Sequence, residues 1–339
     1  MTMPHGSKST MKTVDIHTHL LGSDVAFKRL YDRIAVRFFA QKCGIDPQAL
    51  LRDPYRAYTD ALVASVRGSE HVEKIVLFGV DARVDDGGNE LHRDITVCAT
   101  NEDLRALYER NRDVIIPFFS VNPNRPDALE LIDRYAAHGF KGAKFLQNYW
   151  GVDTREARYR PYFEKLAALK LPLIVHVGSE SSVHSHKACE SIEMLHQPIA
   201  AGVIVICAHM ALSYHPLKLF RAFSKQPKHF NEEYFTLLEM LKRHDNLYAD
   251  ISALLTPVRA KVLRHLSGQY DVHHKLLFGT DFPVPFTTLL NSYDLPWKKR
   301  FELGRVANPF DRYAGAILEY FGADSPLYTN YEKVLLRTR

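Results

Sequence analysis

Cysteine is scarce in this chain of 339 residues: the four, Cys43, Cys98, Cys189 and Cys207, lie far apart and form no CxxC pair. That spacing argues against a disulfide framework and fits reduced thiols in a cytoplasmic setting. Also missing is any run approaching the roughly 18 apolar residues that a membrane helix needs. The polar opening MTMPHGSKSTM lacks the apolar stretch of a secretory signal. The expectation is a cytoplasmic protein with no membrane partner and with residues 1–11 flexible. Blocks of like charge are absent too. Lys and Arg number 44 against 39 Asp and Glu, a formal charge of +5, so nucleic acid is not an expected partner. A small-molecule substrate, anionic ones included, is permitted. No Gly-rich loop follows the first apolar run, which disfavours an open doubly wound nucleotide-binding sheet.

What is present is a repeat of strand-like runs. The composition, 46% hydrophobic and 24% charged, is that of a chain able to bury a substantial core. Eight β-branched or aromatic runs begin near residues 13, 74, 114, 142, 172, 203, 247 and 276. Most are spaced at about the 30 residues that a strand–helix–strand unit takes. Between them, RPDALELIDRYAAHG (125–139) places Leu129, Ile132, Tyr135 and Ala136 at helical spacing before a glycine stop, and YRPYFEKLAALKLP (159–172) behaves likewise. Continuous apolar strands alternating with helices imply a parallel sheet covered by helices. Eight such units predict an α/β fold of the (β/α)8 TIM-barrel type. No linker is visible, so residues 1–339 read as one domain. Residues 21–73 form a helical insertion near the barrel mouth, suited to a lid or a homodimer contact, and helices within 296–339 close the C-terminus. A second long connection, 211–246, carries aromatics and a basic cluster.

Five of the eight runs end in a potential metal ligand. In TVDIHTH (13–19), Asp15, His17 and His19 alternate onto one face, with Val14 and Ile16 expected to point into the helical layer. Two imidazoles about 6–7 Å apart along a strand can grip one cation from the same side. A lone HxH can equally be a surface strand. The other candidates also fall at strand ends: Lys144 in GAKF, His176 after LIV, His209 after VIVICA and Asp281 after LLFGT. A buried unpaired carboxylate is heavily penalised, and active sites of such barrels form at the carboxyl ends of their strands. Together these placements point to a divalent metal.

The pattern resembles the amidohydrolase superfamily, in the branch that includes aminocarboxymuconate-semialdehyde decarboxylase. The opening DIHTHL (15–20), HVG (176–178), AHM (208–210) and the closing FGTDFP (278–283) carry the resemblance across nearly the whole chain. It implies that His17, His19, His176 and Asp281 hold one divalent metal; imidazole and carboxylate ligands make zinc the default, with manganese, iron or nickel as alternatives. It implies further that His209 handles a proton or polarises the substrate. In binuclear relatives a carbamylated lysine at the position of Lys144 bridges two metals and the position of His209 binds the second. Lys144 can instead contact substrate, or pair structurally with Asp15 or Asp281. Two reactions stay open: hydrolysis of an amide, ester or lactone, with Asp281, His209 and Lys144 as catalytic residues, or non-oxidative decarboxylation of a small aromatic or unsaturated acid. A metal-binding barrel without turnover is the third reading.

Other residues carry weaker expectations. Tyr149 and Trp150 are candidates to wall a pocket for a planar substrate, and Arg259 to anchor a carboxylate. Asp250 is expected to hydrogen-bond within the barrel. His184 and His186, in a polar stretch after the fifth run, read as loop histidines with substrate contact as the alternative. His273 and His274, before the eighth run, read as surface residues.

Overall fold

The computed structural model describes residues 12–25, 37, 40–41, 43–91, 98–179, 185–213, 224, 226–292 and 294–336. Eight parallel strands follow one another in chain order around a nearly closed barrel. They are β1 (Thr13–His19), β2 (Val72–Phe78), β3 (Ile115–Phe119), β4 (Gly142–Phe145), β5 (Leu173–Val175), β6 (Val205–Cys207), β7 (Leu247–Asp250) and β8 (Leu276–Leu277). The ring is completed where β1 meets the chain beyond β8. Ile16 N–H donates to the Phe278 carbonyl at 3.0 Å, Asp281 N–H to the His17 carbonyl at 2.9 Å, and His19 N–H to the Phe282 carbonyl at 2.8 Å.

Helices return the chain from the top of one strand to the foot of the next. They include α1 (Pro47–Arg52), α2 (Pro54–Arg67), α3 (Asn101–Arg110), α4 (Ala128–Ala137), α5 (Arg160–Ala168), α6 (His196–Ala200), α7 (Glu232–Arg243) and α8 (Leu263–Ser267), followed by α9 (Trp297–Gly304), α10 (Pro309–Phe321) and α11 (Tyr331–Leu335). The expected insertion thus contains α1 and α2, and α9, α10 and α11 supply the expected C-terminal helices after β8. Residues 26–36 of that insertion, residues 214–223 with the basic cluster, and residues 1–11 lie outside the described residues. Helix α4 starts later than its sequence pattern predicts and buries Ala128, Ile132 and Tyr135. Leu129 falls on its outer face, 39% exposed. No helix among the described residues is long and apolar enough to cross a membrane.

Strand alternation sorts the core into two layers. Ile75, Leu77, Phe119, Phe145, Val175 and Cys207 pack outward against the helices. Val76, Phe78, Phe118, Ile174, Ile206 and Leu277 fill the interior, where Val334 and Leu335 of α11 join them. Val14 and Ile16 belong to this inner set, contrary to the phase expected from TVDIHTH. The reason is a register shift in β1 between Asp15 and Thr18. An extra residue in one strand breaks the alternation, so Ile16 and His17 both turn inward. Asp15 instead faces the chain after β8, where it accepts the Thr280 hydroxyl at 2.6 Å.

Candidate metal centre

The polar residues collect where the apolar interior stops. His17 Nδ1 lies 2.7 Å from Oδ2 of Asp250, the last residue of β7. A carboxylate only accepts, so the ring donates from Nδ1 and leaves Nε2 with a bare lone pair. The other oxygen of Asp250 accepts the backbone N–H groups of His209 (2.9 Å) and Ser252 (3.1 Å) and the Ser252 hydroxyl. His209 Nδ1 sits 3.1 Å from the Ser252 carbonyl and 2.8 Å from its hydroxyl oxygen. With that hydroxyl proton given to Asp250, Nδ1–H of His209 donates to the carbonyl, and its Nε2 is bare as well. One buried carboxylate therefore fixes two imidazoles, the arrangement by which outer partners orient metal-binding histidines.

Those lone pairs converge on Asp281. Its Oδ1 lies 3.4 Å from His17 Nε2 and 3.0 Å from His19 Nε2, and its Oδ2 lies 3.9 Å from His209 Nε2. The ligand atoms of His17, His209 and Asp281 all fall within 4.8 Å of one another. Lone pairs and carboxylate oxygens at such separations repel unless a cation or a donor lies between them. Lys144 Nζ, 3.2 Å from His17 Nε2 and 4.8 Å above the Phe78 ring, is one such donor. His17, His209 and Asp281 are 0%, 2% and 3% exposed. Burial, followed by the positive charge of Lys144, holds the His17 pKa well below its ordinary value. Burial and Arg259 do the same to His209. Neutral imidazoles are the form that binds metal. The donor set of bare imidazole nitrogens and one carboxylate fits a divalent cation of the zinc type. Beside it, burial pushes the carboxyl of Asp15 up to about 7, against the lowering effect of its Thr280 hydrogen bond.

Backbone geometry aims these side chains. His209, Met210 and Ala211, one residue beyond the end of β6, take φ values of 53°, 55° and 55°, and Asp281 takes 66°. Left-handed conformations at residues with a Cβ cost about 1–2 kcal/mol each, and such strain concentrates at functional sites. The turn at 209 swings the imidazole back over the barrel axis, 4.8 Å from the His17 ring.

The remaining sequence candidates are distributed around this group. The His176 ring is 5.3 Å from that of His209, outside the tightest triad. Tyr149 and Trp150, each 3% exposed, belong to the outer core. Trp150 donates its indole N–H to the Asp81 carbonyl at 2.9 Å, and the Tyr149 hydroxyl lies 3.4 Å from Cys98 Sγ. The one-turn helix Gln147–Trp150 turns both side chains into this outer core. Arg259, 2% exposed, donates Nε–H to the Leu212 carbonyl. His186 meets Arg83, and His184 lies outside the described residues. His273 is buried, 6% exposed, with its carbonyl accepting from Asn330, so only His274 matches the surface expectation. Sequence reasoning missed Ser252 and Phe78. Ser252 stands two residues beyond Asp250, and Phe78 closes KIVLF as an apparent core residue. Its ring meets both the His17 and the His19 rings edge-on.

Residues 14–298 match a family model described as Amidohydrolase. Among solved structures, one similar to this chain is a probable 2-pyrone-4,6-dicarboxylic acid hydrolase from Acinetobacter baumannii with citric acid bound. The identity is 12% and the TM-score 0.53, over 96% of this chain and 99% of that one. An amidohydrolase from Burkholderia multivorans with bound zinc gives 14% identity and a TM-score of 0.53, over the same shares. The 5-carboxyvanillate decarboxylase of Sphingomonas paucimobilis gives 14% and 0.53, again over 96% and 99%. No curated protein matches the chain. At these identities the structural likeness is one of fold.

Proposed function

The chain belongs to the amidohydrolase family, and on that footing we propose that it is a metal-dependent hydrolase that opens an amide, ester or lactone of a small carbonyl substrate. The observation that carries this reading is the convergence of ligand atoms from His17, His209 and Asp281, all within 4.8 Å of one another. These three would hold the cation, with His19 beside Asp281 and His176 beside His209 as the next donors. Zinc is the first expectation from the donor chemistry, with manganese, iron and nickel behind it. When bound, the cation makes a water molecule acidic and polarises a carbonyl. Asp281 accepts the proton of the attacking water and returns it to the leaving group. Asp250 holds the His17 and His209 rings in the tautomers that leave Nε2 bare. Lys144, buried beside His17, stabilises negative charge developing on the carbonyl oxygen or meets a substrate carboxylate. The aliphatic and aromatic floor beneath, with Phe78 nearest, excludes water from the inner side.

Loss of carbon dioxide from a small aromatic or unsaturated acid is the second reading. The 5-carboxyvanillate decarboxylase, as close in fold as the hydrolase neighbours, supports it. The test is a panel of small acids with their esters, amides and lactones, offered to zinc-loaded protein. Release of amine, alcohol or ring-opened acid, lost in Asp281→Asn, supports hydrolysis. Carbon dioxide released without hydrolysis would reassign the reaction. Metal content of His209→Ala against His176→Ala tests the ligand assignment: the first variant should lose the greater share.

A further inference from the structure

On the other side of the mouth, the loops that follow β2 and β5 meet above the one-turn helix Gln147–Trp150. Arg83 of the first loop donates from its guanidinium to Nε2 of His186 in the second, at 3.3 Å. The meeting point is held in place from below. His186 N–H donates to the Asn148 carbonyl at 2.8 Å, and the Asn148 amide donates to the Ser185 hydroxyl at 3.1 Å. Gly151, at φ +74°, lies under the His186 ring, where a Cβ would come 3.2–3.3 Å from ring atoms.

Among the described residues the charge of this corner is unbalanced. Neighbouring guanidiniums are each answered by carboxylates: Arg125 by Asp81 and Glu90, Arg158 by Asp86, Arg155 by Asp153 and Glu193. Among the described residues Arg83 pairs with none. Its Nε is buried and has no acceptor, and Oδ1 of Asn148, a residue with no exposed surface, has no donor. A buried N–H left without a partner costs about 1–3 kcal/mol. A carboxylate is the group whose two oxygens match the guanidinium fork.

We propose that Arg83, with His186 and Asn148, forms a recognition subsite for a carboxylate of the substrate other than the group that reacts. Arg83 takes the carboxylate through Nε–H and a terminal N–H, and Asn148 Oδ1 accepts from a hydroxyl beside it. The assignment to substrate rests on the hydrolase reading; the anion site itself does not. The test titrates benzoate, and separately benzamide, into the full-length zinc-loaded protein while the ring nitrogens of His186 are followed by NMR, assigned through His186→Gln. Benzoate should shift His186, benzamide should not, and Arg83→Ala should weaken the benzoate response by about tenfold or more, with Arg83→Lys intermediate. An unmoved His186 signal, or equal responses in wild type and both Arg83 variants, overturns the subsite. If Arg83→Ala fails to fold, Arg83→Lys decides alone. Running the titration and the substrate panel side by side on the wild-type protein separates the two readings: a retained response with no turnover in the panel sinks hydrolysis only, and no response in protein that hydrolyses the panel sinks the subsite only.

Discussion

Around β6, β7, β8 and β1, the imidazoles of His17 and His209 and the carboxylates of Asp250 and Asp281 are packed out of water with the Lys144 amine beside them. Around the ends of β2 and β3, by contrast, the acids Asp81 and Glu90 are answered by Arg125 and stay partly solvated. The first half is a set of acceptors drawn together beside the Lys144 amine, an arrangement that suits a cation at its centre. The second is a balanced network that stiffens loops. Arg83 is the exception that turns part of it toward recognition. Chemistry and loop support are thus divided between the two halves, and substitutions should reveal the division.

The largest effect belongs to the first half. Asp281→Asn should lower kcat by about 10²–10⁴ with the melting temperature nearly unchanged; a loss of less than tenfold would mean that another group carries the proton. Asp250→Asn should weaken zinc binding about 10–100-fold, measured by chelator competition, because His17 and His209 lose the partner that fixes their tautomers. Equal affinity in that variant would show that the ring orientations are set by packing alone.

The second half should respond in stability more than in turnover. Arg125→Ala removes a two-pronged contact to Asp81 and the link to Glu90, and should cost about 1–3 kcal/mol in denaturant unfolding while kcat changes little. A large fall in kcat at constant stability would erase the proposed division. Trp150→Phe, which deletes the indole donor to the Asp81 carbonyl, should cost about 1 kcal/mol. The smallest effect concerns the thiols. Burial pushes Cys43 up to about 12 and Cys189 up to about 11. A raised thiol pKa means less thiolate, so both should ignore Ellman's reagent at pH 8 until the protein unfolds.

The barrel was legible because each strand is a compact apolar run, and such runs need no partner to be seen. His17, His19 and Asp281 were legible because polar groups ending those runs have no cheap structural explanation. The phase slip in β1 was hidden. It depends on how Asp15 meets Thr280 across the closing seam, which no local pattern in TVDIHTH encodes. The turn that aims His209 was hidden for a similar reason: AHMA carries no glycine to mark left-handed backbone. Tyr149 and Trp150 could not be placed from sequence, because an aromatic pair after a strand looks the same whether it faces a ligand or the helices. Arg83 was invisible, since whether a guanidinium has a counter-ion, and among the described residues Arg83 has none, is defined by what surrounds it in space.

The left-handed run at His209–Met210–Ala211 has a practical corollary for anyone evolving this barrel. Glycine at 211, where only a buried methyl is lost, would suit the backbone better, by about 1 kcal/mol, so selection for heat tolerance alone should enrich it, whereas at 210 the cavity left by the buried Met210 side chain outweighs the gain. The same exchange would slacken the pivot that points the histidine, and such hardy variants should turn over more slowly than their parent.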